Sequence, residues 1–229
     1  GGALLVFGKI PRPGLVKTRM TPPLAPEQAA ALYACMLDDV LEQSASAAAR
    51  LDLLPVLAVH PWEGAESLAA RAPAGFRVVA QQGSDLGARM DHAVAEAAAA
   101  GHAPILLRGS DSPALPISMM AAALDALAEA SVVVCPDLDG GYNLVSVRAP
   151  ITGLFRHTMS VHTSLDELCL NAEQRCQPVR RLPPHFDLDT VADLAQLAKA
   201  RAATDTLPCP RTLRFCDEND LWRHARPAP

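Results

Sequence analysis

The chain contains 229 residues, of which 50% are hydrophobic and 20% are charged, and its formal net charge at pH 7 is −5. This length and composition fit one globular domain with a sizeable core, and the acidic balance disfavours a nucleic-acid partner, whose binding surfaces are ordinarily basic. The apolar runs are far shorter than the roughly 20 residues that a membrane-spanning helix requires. With no recognisable secretion signal, we expect a cytoplasmic protein without a membrane span.

Short apolar runs alternate with Ala-rich segments of helical periodicity, a pattern typical of an α/β domain with a mostly parallel sheet. The predicted strands are Ala3–Phe7, Leu53–His60, Phe76–Ala80, Ile105–Leu107, Ser131–Cys135, Tyr142–Val147 and Pro178–Leu182. The predicted helices are one beginning at Pro26, then Ala65–Arg71, Asp85–Ala100, Ile117–Ala130, Ser164–Arg175 and Thr190–Ala203. We assign residues 1–205 to this single domain and residues 206–229, whose periodicity is weak, to a C-terminal surface tail.

The helix beginning at Pro26 has one apolar face, which predicts that it packs on the sheet. That face is made by Ala29, Leu32, Tyr33, Met36, Leu37, Val40 and Leu41. Asp38 lies opposite it and Asp39 on its flank.

A long loop rich in proline and glycine follows the first predicted strand, and residues 1–26 carry four basic side chains and no acidic one. Ligands of open α/β sheets bind beyond the carboxyl ends of the strands. Gly14 would let backbone amides approach an anion, and Lys17 and Arg19 supply a point charge and a bidentate fork for phosphate oxygens. The spacing does not match a Walker A loop. A solvated basic loop without a ligand remains the alternative.

A lone carboxylate, Asp111, follows the strand Ile105–Leu107 within the sequence Gly-Ser-Asp-Ser-Pro. Mg²⁺ commonly takes one or two protein carboxylates and completes its shell with water and phosphate oxygens. Asp111 is therefore the first metal candidate. It could instead cap the helix that begins after Pro116.

Two further carboxylates, Asp187 and Asp189, precede the last predicted helix. Residues two apart in an extended segment point to the same side, so either could be the second metal ligand. Asp189 or Thr190 could equally be a helix cap.

The turn Asp137–Tyr142 contains a Gly pair, which permits close approach of the backbone to a ligand and also makes an ordinary turn. A second junction, Gln82–Met90, offers backbone donors at a helix start. Its alternative is a plain helix start capped by Asp85.

Taken in order, KxPxPGxVKTR, GxDxP, DGGY and DxDTxxDL resemble the bacterial glycosyltransferase family associated with radical-SAM selenodomain proteins and arsenosugar biosynthesis. That family is similar to the nucleotide-diphosphosugar transferase superfamily, with a single-domain GT-A fold, and to the guanylyl- and cytidylyltransferases of cofactor synthesis. The resemblance implies that nucleotide is bound by Lys9, Pro11, Gly14, Lys17, Thr18, Arg19, Gln82, Gly87 and Arg89. It implies acceptor binding by Asp139, Gly140, Gly141 and Tyr142, and metal binding by Asp111 with Asp187 or Asp189.

The chain departs from the family pattern at Val161-His162-Thr163, where a Trp before a small residue and Thr is expected, so the acceptor side could differ. The leading hypothesis is a glycosyltransferase that uses Mg²⁺ or Mn²⁺, with Lys17 and Arg19 stabilising the leaving diphosphate. Asp139 is the candidate base if the transfer inverts the sugar. A nucleotidyltransferase that releases pyrophosphate is the second hypothesis, and an inactive nucleotide-binding module is the third.

Overall fold

The computed structural model describes residues 1–159, 161–204 and 206–225, and its centre is a seven-stranded sheet. The strands are β1 (Gly2–Lys9), β2 (Leu53–His60), β3 (Arg77–Ala80), β4 (Ile105–Arg108), β5 (Val132–Pro136), β6 (Tyr142–Val147) and β7 (Val179–Arg181). Their order is β3-β2-β1-β4-β6-β5-β7, and β6 runs antiparallel to both of its neighbours while the other neighbouring pairs are parallel. The mostly parallel α/β sheet predicted from the sequence is confirmed.

Helices cover both faces of this sheet. They are α1 (Pro26–Leu51), α2 (Ala65–Ala69), α3 (Leu86–Ala99), α4 (Ile117–Ala126), α5 (Ser164–Glu173), α6 (Leu194–Ala203) and α7 (Pro210–Glu218). One apolar cluster joins one face of the sheet to α3 and α5, and two others join the opposite face to α1, α2 and α4. Across the described residues, no helix is long and apolar enough to cross a membrane.

Strand β1 shows why the strands read as continuous apolar runs. Ala3, Leu5 and Phe7 face α3, and Leu4 and Val6 face the layer that contains α1 and α4. All five are buried because both faces of a parallel sheet are covered. The predicted apolar face of α1 is likewise buried throughout.

The reversed direction of β6 determines the shape of the functional edge. A tight turn after β5 brings the chain straight back, and a connection this short can join only antiparallel strands. The start of β6 therefore lies beside the carboxyl end of β4. The turn after β5 and the loops after β1 and β4 consequently meet at one edge of the sheet.

Residues 206–225 are packed against the rest of the domain, which differs from the predicted surface tail. Helix α7 lies against α1, and Cys209, Cys216 and Leu221 are fully buried in a cluster shared with α1 and α6. A polar contact adds to this packing: the carboxylate of Asp39 in α1 accepts hydrogen bonds from the backbone N–H and the hydroxyl of Thr212, both at 2.8 Å. Residues 205 and 226–229 lie outside the described residues, and the domain boundary at 205 stays a prediction.

Replacing Asp39 with alanine is expected to lower the free energy of unfolding by about 2–4 kcal/mol, because it leaves buried donors at the start of α7 without an acceptor. Asp39 is 1% exposed, and its carboxylate also accepts from the backbone N–H of Arg211 at 3.2 Å. Urea denaturation measures the change. The matched control is Asp38→Ala, which removes a partly exposed ion pair with Arg71 and should cost less than about 1 kcal/mol. Equal losses in the two variants would contradict this role of Asp39.

Candidate active site

A cleft opens where the loop after β1, the loop after β4 and the turn before β6 meet. Its volume is about 160 Å³, and its walls combine acidic and apolar side chains. Its polar lining includes Arg19, Asp111, Asp137, Asp139, Asn143, Asp187 and Asp189, and its apolar lining includes Phe7, Leu86, Met90, Leu107, Tyr142 and Met159. It lies between β1 and β4, whose connections lead to β2 on one side and to β5 on the other, and such a point in the strand order is where open α/β sheets bind ligands.

The basic loop after β1 is held in one conformation by its apolar residues. Ile10, Val16 and Met20 are all buried in the core, although they are separated by exposed residues. Gly14 adopts φ +76° and Lys17 adopts φ 49°, two left-handed positions that bend the loop back towards the cleft. The loop is therefore ordered, and its binding of a ligand stays a prediction.

Lys17 lies at the centre of the charges in the site. Its Nζ donates to Asp111 Oδ1 at 2.5 Å and to Asp189 Oδ1 at 2.9 Å, and its side chain is 4% exposed. Burial alone would lower the pKa of Lys17, but the two carboxylates raise it above its ordinary value. Lys17 is therefore charged at neutral pH and links two of the predicted metal ligands.

Tyr33 of α1 supports both loops that flank Lys17. Its hydroxyl accepts from the backbone N–H of Lys9 at 2.9 Å and lies 2.8 Å from the hydroxyl of Ser110. Its ring centroid is 5.9 Å from Lys17 Nζ, within the range of a cation–π contact. Burial raises the pKa of Tyr33 to about 12, so the hydroxyl remains protonated and can donate to Ser110.

In the segment before α6, one residue caps a helical turn and a different residue makes the ion pairs of the cleft. Thr190 caps the short helical turn Val191–Asp193 in a capping box with Asp193, whose carboxylate also accepts from the backbone N–H of Asp189. The side chain of Asp189 is thus free to pair with Lys17 and Arg19. Burial raises its pKa, but those two cations hold the pKa below its usual range. Asp111 is not a cap either, because α4 begins after Pro116 with no side-chain cap.

Asp187 is the least compensated carboxylate of the cleft. Its Oδ1 is buried and has no hydrogen-bond partner among the described residues. Burial raises its pKa well above the ordinary value, and the nearby charges of Asp111, Asp137 and Asp189 raise it further. This excess of buried negative oxygen suits a divalent cation, which prefers oxygen donors.

No group of three or more His, Cys, Asp or Glu side chains within the described residues is arranged to hold a metal ion. Lys17 separates Asp111 from Asp189, which accounts for their failure to converge on one point. The carboxylates nevertheless fit an ion that takes one or two protein ligands and draws the rest from water and phosphate. Three protein ligands are not required for such a site.

Asp137 and Asp139 form a second acidic pair beside Asp187. Burial and the neighbouring Asp139 together raise the pKa of Asp137 to about 7. Asp137 also accepts from the backbone N–H of Asp187 at 2.9 Å, and Asp139 accepts from that of Gly141 at 3.0 Å. A carboxylate that is partly protonated near neutral pH can serve as a general base.

The structure brings together only some of the predicted site residues. Those lining the cleft are Arg19, Asp111, Asp139, Gly141, Tyr142, Asp187 and Asp189, with Lys17 directly behind them. The other predicted residues do not line the cleft. Four of them belong to the end of β1 or to the basic loop, namely Lys9, Pro11, Gly14 and Thr18. The remaining four lie elsewhere in the chain and are Gly140, Gln82, Gly87 and Arg89.

The junction before α3 has a structural explanation for two of its residues. Asp85 caps α3 by accepting from the backbone N–H of Ala88 at 2.8 Å, as the alternative reading proposed. A Cβ on Gly87 would lie 2.1 Å from the carbonyl oxygen of Phe155, so close packing requires glycine there. Gln82 is exposed, whereas its neighbour Gln81 donates to the carbonyl of Ala58 at 2.9 Å.

Sequence reasoning missed Tyr33 and Asn143 as residues of the site. Tyr33 was assigned to the apolar face of α1, and its hydroxyl gave no separate signal. Asn143 did give a signal in the sequence, because it is a polar residue at a buried position of β6.

Replacing Gly140 with alanine is expected to lower the free energy of unfolding by about 2–4 kcal/mol. Gly140 has φ +92°, and a Cβ there would lie 2.1 Å from the carbonyl oxygen of His162, so the turn and the segment before α5 must separate. The control is Gly101→Ala, at φ +86° with no atom within 4 Å, where only the backbone strain of about 1 kcal/mol applies. Thermal denaturation compares the two variants. Equal destabilisation would show that the contact with His162 contributes nothing.

Solved structures with this fold define the class of protein. The crystal structure of a protein named "putative nucleotide-diphospho-sugar transferase", from Desulfovibrio desulfuricans G20, matches with a TM-score of 0.87 and 28% identity over 98% of this chain and 97% of that one. The 4-diphosphocytidyl-2C-methyl-D-erythritol synthase of Anaerococcus prevotii DSM 20548 matches with a TM-score of 0.58 and 9% identity, over 89% and 97%. A cytidylyltransferase from Leptospira borgpetersenii serovar Hardjo-bovis gives 0.58 and 11%, over 99% and 98%. The chain thus has the fold of nucleotide-diphospho-sugar transferase-like proteins.

A family model matches residues 43–160, from the second half of α1 past β6. Its description is DUF2064, an uncharacterized protein conserved in bacteria. Because this match covers more than half of the sequence, the chain belongs to the DUF2064 family. No curated protein matches the chain.

Proposed function

We propose that the chain is a metal-dependent transferase that binds a nucleotide sugar in this cleft and moves the sugar to a small-molecule acceptor. The observation that carries the proposal is the meeting of Lys17 and Arg19 with Asp111, Asp187 and Asp189 at one edge of the sheet. A diphosphate requires cationic partners, and a divalent ion requires carboxylates. The similarity to the Desulfovibrio desulfuricans protein, which is named as such a transferase, supports the same conclusion.

The two cations differ in what they offer a diphosphate. Arg19 has 57% of its side chain exposed and can turn its guanidinium fork to phosphate oxygens, whereas Lys17 is buried and fixed in position. A fixed positive charge beside the bond that breaks stabilises the charge that develops on the leaving diphosphate. Lys17 and Arg19 are therefore proposed to act in both binding and catalysis.

The carboxylates fit a divalent cation. We propose that Asp111, with Asp187 or Asp189, holds Mg²⁺ or Mn²⁺. Such an ion, when bound, would neutralise charge on the diphosphate. The buried and unpartnered oxygen of Asp187 supports this assignment, because a cation would relieve the repulsion among the neighbouring carboxylates.

The acidic pair Asp137 and Asp139 is proposed to receive the proton of the acceptor. Asp139 lines the cleft beside Gly141 and Tyr142, and Asp137 lies next to it with a pKa near 7. If the transfer inverts the sugar, Asp139 takes the proton of the attacking hydroxyl and becomes neutral, while the negative charge leaves on the nucleoside diphosphate. If the configuration is retained, this base is not needed.

Nucleotidyl transfer is the second candidate, because the fold is shared with cytidylyltransferases. In that reaction an acceptor attacks the α-phosphate of a nucleoside triphosphate and pyrophosphate leaves. The same cations and carboxylates would bind the triphosphate and its metal ion in this reaction. The products separate the two candidates, since glycosyl transfer releases a nucleoside diphosphate from a nucleotide sugar.

Thermal denaturation with nucleoside diphosphates, nucleoside triphosphates and nucleotide sugars, each with and without Mg²⁺, tests the proposal. We expect stabilisation by at least one nucleotide sugar, and we expect it to increase when Mg²⁺ is present. If no nucleotide raises the melting temperature, both transferase functions fail. Release of pyrophosphate without release of nucleoside diphosphate would replace the first candidate with the second.

A further inference from the structure

Asn143 of β6 has a buried amide that makes no hydrogen bond to any described residue. It is 3% exposed, and both its Nδ2 and its Oδ1 lack a partner. Leaving a buried amide unpaired costs free energy, so such exceptions in folded proteins need an explanation. Asn143 also lines the cleft, so a ligand there can reach its side chain.

An irregularity in the sheet creates this position. Cys135 pairs with Leu144 and Pro136 pairs with Tyr142, so Asn143 is an extra residue in β6 without an opposite partner. Bulges of this kind redirect a side chain and are common beside active sites. Here the bulge turns the strand at the point where it reaches the cleft, and the amide lies in the wall that also contains Leu107 and Met90.

The order of the strands indicates which part of a ligand would reach Asn143. Lys17 and Asp111 follow β1 and β4, in the middle of the sheet, and β6 lies on the far side of β4 from β1, β2 and β3. Gln82, Gly87 and Arg89, which the resemblance implies bind the nucleotide, follow β3. With the diphosphate at Lys17, Asn143 lies on the side that faces away from the nucleoside.

The surroundings of the amide select a neutral and hydroxyl-bearing group. Asp139 and Asp187 line the same cleft and disfavour a second anion while accepting hydrogen bonds from hydroxyls. Leu86, Met90 and Met159 supply apolar surface for the C–H face of a ring. An amide both donates and accepts, which matches a pair of adjacent hydroxyl groups.

We propose that Asn143 hydrogen-bonds the sugar that is joined to the diphosphate of a nucleotide sugar and so determines which sugar is accepted. This inference rests on the proposed function. It applies to glycosyl transfer, in which the nucleotide sugar is the donor, and to nucleotidyl transfer onto a sugar phosphate, in which the nucleotide sugar is the product.

Matched ligand pairs measured on the full chain with Mg²⁺ test the assignment. The probes are UDP with UDP-glucose, GDP with GDP-mannose, and CDP with CDP-glucose, measured by calorimetry. We expect Asn143→Leu to weaken the nucleotide sugar about tenfold through the loss of two hydrogen bonds, and to change the affinity for the matching diphosphate less than twofold. We also expect the free variant to melt no lower than the wild-type protein, because two unpaired polar atoms are removed.

The control is Ser146→Ala, on the same strand. Ser146 is fully buried and its hydroxyl has no partner among the described residues, but it does not line the cleft. Ser146→Ala should leave the affinities for the nucleotide sugar and for the matching diphosphate unchanged. Asn143→Asp keeps the size of the side chain and provides the same test of sugar affinity if the leucine variant does not fold.

Two results would overturn the role of Asn143: an equal loss for the diphosphate and its sugar, or no loss for either. A wild-type chain that binds none of the six probes would instead overturn the proposed function itself. The two failures are therefore distinguishable.

Discussion

Replacing Lys17 with methionine is expected to lower the free energy of unfolding by about 2–4 kcal/mol and to weaken nucleotide binding about 10- to 100-fold. The side chain is almost fully buried between Asp111 and Asp189, and its loss leaves the two carboxylates without their shared cation. Arg19 still pairs with Asp189, which limits the loss of stability. The loss of affinity follows from removing a fixed charge at the diphosphate.

Urea denaturation and calorimetric titration with a nucleotide sugar measure the two effects of Lys17→Met. The matched control is Lys199→Met, which removes an exposed lysine of α6 and should change stability by less than about 0.5 kcal/mol. If Lys17→Met binds the nucleotide sugar as tightly as the wild-type chain, Lys17 has no role at the diphosphate. If it is also equally stable, the ion pairs with Asp111 and Asp189 contribute nothing to the fold.

Replacing Asp187 with asparagine is expected to raise the free energy of unfolding of the free chain by about 1–2 kcal/mol while abolishing the metal-dependent part of nucleotide binding. The free protein must keep a buried charge next to Asp111, Asp137 and Asp189, or hold a proton that bulk water would take at neutral pH. The amide removes that cost. It also removes a ligand that a divalent cation prefers.

Thermal denaturation of Asp187→Asn, with and without nucleotide and Mn²⁺, measures both changes, and Mn²⁺ binding can be followed separately by its paramagnetic resonance. Asp125→Asn, at an exposed position of α4, is the control and should change neither quantity. A variant that is less stable than the wild-type chain but binds Mn²⁺ and nucleotide normally would assign Asp187 a structural role instead.

The fold could be predicted well because both faces of the sheet are covered. Strands buried on two sides are rich in apolar residues, and Leu53–His60 and Tyr142–Val147 have the same bounds in the sequence prediction and in the structure. The direction of β6 was not predicted, although the short turn from Asp137 to Gly141 contained the signal. The packing of α7 on α1 was not predicted because it joins segments that are distant in the sequence, such as Asp39 and Thr212, which are 173 residues apart.

The types of residue in the site could be predicted, but not their pairing. Lys17 contacts Asp111 and Asp189, which lie 94 and 172 residues away in the sequence, and no spacing rule connects residues that distant. The choice between cap and charge at Asp189 also depended on a contact, the capping box that Asp193 makes with Thr190. Asn143 depends on a bulge, which is visible only once the strands are paired.

The central claim is that one cleft holds a diphosphate between the basic loop and a metal-bearing carboxylate. A crystal of the full chain soaked with a nucleotide sugar and Mn²⁺ tests this most directly, because manganese is identified by its anomalous scattering. We expect a manganese ion bonded to Asp111 and to the diphosphate, with Lys17 and Arg19 on the phosphate oxygens. A diphosphate bound elsewhere, or bound here with manganese remote from Asp111, would contradict the claim.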